Sequence, residues 1–577
     1  MQLFWRIKSY DFIVVGAGSA GSAIANRLTE VHDWKVLLIE AGSDPPIESE
    51  IPAFTSLLSG SKHDWSYMTE RSDIACQAMV NKQCLWPKGK MLGGSSSMNG
   101  MYYVRGNEED YNDWQKAGNP GWAYKDVLKY FKKLEDVSEP RVTPGIHGQN
   151  GYLHAEYMFN VTSYHTPLVE KLIAEAAVEL GIPFIEDCSS NVRTCITIPL
   201  FTMKYGRRMS AAKAYLASIK ERDNLLVMKK AVATKLLIDE ERRVYGVEVY
   251  VNGKFVNLLS KKEVIVSAGS IGSPQLLLLS GIGPREDLEK LGIRLVNDLK
   301  VGYNLQDHVY LNNYFAHLNL PDDSYAALTD PMYFYLTRRS EALSRSCNPP
   351  LLFASVSNTT LEDRPNIQFH FWNSPPKNPI IADYLRTLNY KREIVHSFLE
   401  ANQHRHLLSF HVKLLRPKSR GRVTLSSSDP LAAPKVINGY FSDEEDVKTL
   451  IEGMKLADKM MKSNSFQKLG SKRYTLPVAE CDRFDGNSDQ FYECYIRHFA
   501  NTVYHAVGTC KMGPKSDPSA VVDASLKVHG IDGLRVADAS IMPTILSGNI
   551  NVPTIMIGEK AADMMKEEWL KKTSSSE

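Results

Sequence analysis

The sequence predicts an α/β fold that opens on a Rossmann-like βαβ unit and carries a second domain of different character. Three observations predict it. Residues 10 to 41 read as strand, glycine turn, helix and strand. Short apolar runs between 225 and 268, separated by turn residues, read as successive strands. Residues 311 to 499 mix aromatic strands with polar loops, and beyond 500 the glycine-rich strand-and-turn style returns.

The first unit, "YDFIVVGAGSAGSAIANRLTEVHDWKVLLIEAG", places a buried strand before a glycine turn and a second strand, "KVLLIE", after a helix, which is a parallel-sheet opening. A polar stretch follows from 42 to 90, and "GKMLGGSSSMNGMYYVRG" is too rich in Gly and Ser for a regular element. "TPLVEKLIAEAAVELG" predicts an amphipathic helix with Thr166 as its cap, Pro167 in its first turn and Gly181 as its stop. The strands "NLLVMKKAVATKLLID", "RVYGVEVYV" and "KKEVIVSAG" come next. In the second domain "IQFHFW" reads as an aromatic strand and "SDEEDVKTLIEGMKLADKMM" as a capped helix with a solvated face.

The chain has 577 residues, 43% of them hydrophobic and 23% charged, enough to fill a large core and more than one domain. Its formal charge is 68 minus 66, or +2, with no long Lys/Arg run, so nucleic acid and an anionic membrane are not expected partners. No apolar run approaches the roughly 18 residues of a membrane span, and the N-terminus enters a strand too soon for a signal peptide. Cys76 with Cys84, Cys188 with Cys195 and Cys481 with Cys494 form close pairs, and Asn160 and Asn358 stand in Asn-x-Ser/Thr sequons. Both features favour an extracellular or luminal location.

Gly16, Gly18 and Gly21 form G-x-G-x-x-G between a strand and a helix, where a pyrophosphate needs a tight turn, close backbone approach and close helix packing. Ser19 and Ala20 complete the turn. Glu40, followed by Ala41, closes the second strand 19 residues after Gly21, where a carboxylate binds ribose hydroxyls and repels a 2′-phosphate. That leaves NAD and the ADP half of FAD.

"GKMLGGSSSMNGMYYVRG" supplies a second backbone-rich segment, of the kind that clamps an isoalloxazine ring. With "GSIGSPQLLLLSGIG", residues 269 to 283, it resembles the two signatures of the glucose-methanol-choline (GMC) family of FAD oxidoreductases. Similarity continues through "NDWQKAGNPGWAYKDVLKYFKKLED", "RPKSRGRVTLSSSDPLAAPKV" and "GLRVADASIMPTILSGNINVPTIMIGEKAADM", nearly the whole chain, with a texture like the insect glucose-dehydrogenase-like branch.

The resemblance implies an FAD domain built from separated segments (8–155, 225–310 and 500–572) and a substrate domain on an antiparallel sheet (156–224 and 311–499). It implies that Gly93, Gly94, Ser95, Asn99, Gly100 and Met101 line the flavin, that Val232 meets the adenine side, and that Asp538 and Ala539 reach the cofactor. It further implies that "YHAVGTCKMG" carries the active-site histidine, His505, with a partner in "SGNINVPT" that reading back from "PTIMIGEK" places at Asn551, or at Asn549 if the register is two residues out.

Imidazole suits the chemistry, since it accepts an alcohol proton near neutral pH as hydride leaves carbon. An amide can only donate a hydrogen bond to the developing oxyanion. The expected activity is FAD-dependent oxidation of an alcohol, a sugar such as glucose among the candidates, to the carbonyl, with quinone or oxygen taking the electrons. A lyase of the same fold and a non-catalytic flavin-binding protein are the alternatives. His404, His406 and His411 in "HRHLLSFH" have no nearby Cys or acid to complete a closed site, so no metal is expected, and Cys510 reads as packing.

Some members of the family attach FAD through a histidine in the glycine-serine loop, where this chain has Met98. A thioether cannot make that bond. Acid precipitation is therefore expected to release all the yellow colour, and flavin left on the protein pellet would contradict non-covalent FAD.

Overall fold

Strand Ser9–Val15 is fully buried from Phe12 to Val14, as a strand covered on both faces must be, and the first sheet grows outward from it. It pairs in parallel with Val36–Ile39 on one side and with the end of Lys254–Val266 on the other. Leu225–Met228 extends the parallel run beyond Val36–Ile39, and Leu534–Val536 joins in parallel beside Lys254–Val266. The first half of Lys254–Val266 instead continues an antiparallel meander through Val244–Val251 and Ala231–Ile238. The sheet is thus mixed, with seven strands drawn from widely separated parts of the chain. The computed structural model describes residues 9–158, 166–188, 190–320, 335–337, 342–344, 348–356, 364–378 and 381–574.

Helix Ser19–Leu28 lies on this sheet and packs against the C-terminal helix Asn551–Ser574. Arg27 and Glu559 fix that contact through a two-pronged ion pair (2.7 and 3.0 Å) that Tyr215 completes by donating to Glu559 at 2.8 Å.

The second sheet has eight strands and is antiparallel throughout its described pairs. Its centre is the pair Ile367–Ser374 and His406–Leu414. Alternation sorts their side chains. Phe369, Phe371, Phe410 and Val412 belong to the apolar core under helix Glu444–Met461, where Gly453 lets the helix approach Val412 and Ile367. Gln368, His370, Trp372, His411 and Lys413 share the opposite face. The helix starts where expected, Asp443 accepting from the Glu445 amide at 3.0 Å.

Several local expectations shift. Helix Thr166–Glu179 begins at Thr166 itself, so that residue is its first turn and not a flanking cap. "KKEVIV" is the end of a 13-residue strand. The glycine-serine loop contains a short 3₁₀ turn, Gly94–Ser97. The boundaries at 310 and 500 run through or against strands Val309–Leu311 and Ala500–Thr502, which pair with each other and belong to the second sheet. His404 lies outside the strand that starts at His406. The three close cysteine pairs, Cys76–Cys84, Cys188–Cys195 and Cys481–Cys494, are disulfides, and Cys510 is a buried free thiol. Asn160 and Asn358 lie outside the described residues.

Gly21 shows why the first turn tolerates no side chain: a Cβ there would stand 1.9 Å from the Gly16 carbonyl oxygen. Replacing Gly21 with Ala should destabilise the protein by about 1–3 kcal/mol through overpacking and lower its flavin content, read by thermal melting and flavin absorbance. An unchanged melting temperature would show that the helix can lift away freely.

Candidate active site

One cavity of about 1110 Å³ runs from the first glycine turn to His505. Of the residues expected around the cofactor, Gly16, Gly18, Ser19, Ala20, Glu40, Ala41, Gly94, Ser95, Asn99, Gly100, Met101, Val232, Asp538 and Ala539 line it. Gly21 and Gly93 do not, and both act behind the wall. Gly21 lets the helix close on the Gly16 carbonyl, and the Gly93 amide donates to the Ala17 carbonyl at 2.7 Å, clamping the second glycine loop onto the first. Gly94 comes so near Gly18 that a Cβ would meet its Cα at 2.9 Å.

The cavity fits a dinucleotide. A Cβ at Gly18 would touch nothing within 4 Å, so the turn is open on the cavity side while Gly16 and Gly21 are crowded. Helices Ser19–Leu28 and Gly269–Leu279 bring their N-termini to the same cavity, and neither has an acid in its first turn, which leaves their partial positive ends available to a pyrophosphate and to a ring carbonyl. Glu40 accepts from the Ala17 amide at 3.0 Å and the Gly42 amide at 2.8 Å, and burial pushes its carboxyl up to about 7. Asp538 accepts from the Gly269 amide (2.8 Å), Ser273 Oγ (2.5 Å) and the Ser540 amide (2.7 Å), tying the second helix to the "VADAS" turn.

His505 lines the far end of the cavity. Tyr504 before it has φ of 67°, a left-handed conformation unusual for a bulky residue, and its carbonyl is held by Lys88 Nζ at 2.6 Å. The His505 amide donates to Asp307 Oδ1 at 2.9 Å. Both anchors aim the ring.

Its proton position follows from its partners. His308 Nε2 lies 3.0 Å from the Leu415 carbonyl, which can only accept, so that nitrogen carries hydrogen. Burial, then the charge of Lys413, pushes His308 down to about 3, so it is neutral and its Nδ1 is an acceptor. With the His308 hydrogen committed to the Leu415 carbonyl, His505 Nδ1, 2.8 Å from His308 Nδ1, carries the hydrogen of that contact. Burial, then Lys413, His308, Lys88 and His370, also hold His505 well below its ordinary value, which leaves Nε2 unprotonated.

The group beside that nitrogen is Asn549, whose Nδ2 lies 3.3 Å from His505 Nε2. Asn551, expected as the partner, is instead the first residue of the C-terminal helix and accepts from Ser19 Oγ at 2.8 Å, on the dinucleotide side of the cavity. The two-residue offset decides which end each amide serves.

Sequence reasoning missed His308, Gln368, His370 and Lys413. The alternation of Gln368, His370 and Trp372 in "IQFHFW" was the available signal, because polar and aromatic residues recurring at period two mark one strand face. The three histidines set aside do not converge, since His406 and His411 fall on opposite faces of their strand.

The sequence pattern of GMC oxidoreductases matches residues 10–310 and 417–558. The chain is 40% identical to "Glucose dehydrogenase [FAD, quinone]" of Drosophila pseudoobscura pseudoobscura, over 97% of this chain and 87% of that protein. It is 34% identical to "Ecdysone oxidase" of Spodoptera littoralis, over 97% and 92%. A solved structure of formate oxidase from Aspergillus oryzae, described for modification of its FAD, superposes with a TM-score of 0.83 at 26% identity, over 97% of this chain and 99% of that one.

Proposed function

The chain belongs to the GMC oxidoreductase family and is an FAD-dependent oxidoreductase acting on CH–OH donors, and from that premise we propose that His505 is its catalytic base and Asn549 the amide that meets the substrate oxygen. The observation that carries this reading is the buried imidazole in the lining of the cavity that the two glycine loops share, with Nδ1 2.8 Å from His308 Nδ1 and Nε2 3.3 Å from Asn549 Nδ2. FAD, when bound, supplies the acceptor for hydride from the alcohol carbon.

The residues around it divide the remaining work. The glycine loops, Glu40, Val232 and Asp538 hold the dinucleotide without covalent attachment, and Met98 lines the cavity where no bond to a ring can form. His505 Nε2 takes the hydroxyl proton, and the proton already on Nδ1 stays on its bond to His308. Asn549 Nδ2 can turn its N–H to the alkoxide as charge gathers there.

The substrate end favours a neutral alcohol with an apolar or aromatic body. Tyr310, Trp372, Tyr384 and Tyr504 line it, and among the described residues the carboxylates of the lining are Glu40 and Asp538, both committed to backbone amides at the dinucleotide end. Among the described residues a cationic alcohol finds no counter-charge there. Quinone is the acceptor we favour, in keeping with the name of the Drosophila relative.

Replacing His505 with Ala should slow anaerobic flavin bleaching by at least about a hundredfold with FAD still bound, and Asn549 to Ala by about tenfold. Near-normal bleaching in the His505 variant would reject the base. Because the base works unprotonated and its value is depressed, the acid limb of the bleaching rate should lie below pH 6.5, the ordinary imidazole value. In a panel of alcohols, neutral aromatic and polycyclic compounds should bleach the flavin faster than choline, and the reverse order would refute the substrate class.

A further inference from the structure

Strand register sets Gln368 directly opposite Lys413, and His370 opposite His411, on the face of the second sheet that carries the polar and aromatic ladder. Lys413 is fully buried and belongs to no ion pair among the described residues. Its Nζ donates to Gln368 Oε1 at 2.6 Å and to His370 Nε2 at 3.0 Å. A lone buried amine is costly, and an apolar side chain of similar length at this position would avoid that cost. Gln368 in turn reaches forward: its Nε2 lies 3.5 Å from Asn549 Oδ1. Asn549 Nδ2 then meets His505 Nε2, His505 Nδ1 meets His308 Nδ1, and His308 Nε2 meets the Leu415 carbonyl, two residues from Lys413.

Resting on the reading of His505 as base, we propose that Lys413 and Gln368 are positioning residues whose hydrogen-bond chain, begun by the amine donating to Gln368 Oε1 and ended at the Leu415 carbonyl, keeps the proton off His505 Nε2. The chain has one consistent direction. The lysine donates to an oxygen, so Gln368 must present its Oε1 to Lys413 and its N–H to Asn549. Asn549 must then present Oδ1 backward and N–H forward, which matches a bare Nε2.

Reversing any one link spreads. If the Gln368 amide turns over, its N–H faces the lysine N–H and its oxygen faces Asn549. Asn549 turns to donate to it, and Asn549 Oδ1 arrives at His505. Only a proton on Nε2 satisfies that contact, and an imidazole protonated there is no base. His505 Nδ1 would then also face the His308 Nδ1 lone pair with one of its own.

The same lysine adds a second effect of the same sign while it is protonated, although burial, opposed by Asp307, holds its amine well below the ordinary lysine value. The other charged and titratable groups facing His505 are Asp307 beneath its backbone, His308 beside its ring, Lys88 at Tyr504, and His370 across the sheet. All of them stay in place when Lys413 is replaced.

The test is Lys413→Met in the FAD-loaded enzyme. Flavin content should be unchanged, anaerobic bleaching by an alcohol at neutral pH should fall roughly tenfold, and the acid limb of its pH profile should move to higher pH. A residue that merely filled space would move neither the limb nor the tautomer. The tautomer is read without turnover, from ring-nitrogen resonances of ¹⁵N-histidine-labelled oxidised enzyme, with His505 assigned by His505→Gln. Wild type should show Nδ1–H at His505, and Lys413→Met a substantial Nε2–H fraction.

Gln368→Met, which keeps Lys413 bonded to His370 and cuts the link to Asn549, should shift the tautomer in the same way and serves if Lys413→Met does not fold. Unchanged limb and tautomer in either folded variant, or Nε2–H in the wild type, would overturn the proposal. If His505→Ala bleaches normally, the base assignment fails, while the resonances still report the direction of the chain.

Discussion

A buried imidazole is useful as a base only while its working nitrogen is kept bare, and most of this active site can be read as the means of doing so. Solvent does little to place the proton, because His308 is fully buried and His505 shows only 8% of its surface, at the cavity. Fixed partners do it instead. The Leu415 carbonyl settles His308, His308 settles His505, and the strained Tyr504 and the Asp307 carboxylate hold the ring where those bonds form. Burial alone would depress any histidine. Burial with an assigned direction leaves one nitrogen free and aims it.

At the other end of the cavity the constraint is closeness of backbones. The two glycine loops are far apart in sequence yet joined by the Gly93–Ala17 hydrogen bond, and a Cβ on Gly94 would stand 2.9 Å from the Gly18 Cα where they approach. Asp538 performs the matching task for the second helix. The cradle is therefore one object made of three chain segments, and its geometry is settled by main-chain atoms more than by side-chain identity.

How far this was legible in the sequence follows from how local each signal is. Gly16, Gly18, Gly21 and Glu40 announced themselves because their spacing is set within a single βαβ unit. The glycine-serine loop and His505 were found through long motifs with a family resemblance. Asn549 and Asn551 could not be separated, since both lie in one polar run and only the start of the C-terminal helix at Asn551 turns them to opposite ends of the cavity. Gln368 and Lys413 stand 45 residues apart, and their meeting depends on strand register, which no single stretch reveals. Strands Val309–Leu311 and Ala500–Thr502 were misplaced for a like reason: three residues are too few to show which sheet claims them.

Those two short strands have a consequence of their own. His308 immediately precedes one of them and His505 follows shortly after the other, so both rings hang from the second sheet, while the first glycine turn hangs from the first. Holding the pigment and presenting the imidazole are thereby assigned to different rafts, and heat that loosens the second while sparing the first would leave a protein still yellow and already inert, so that a colour assay would overstate how much working catalyst survives.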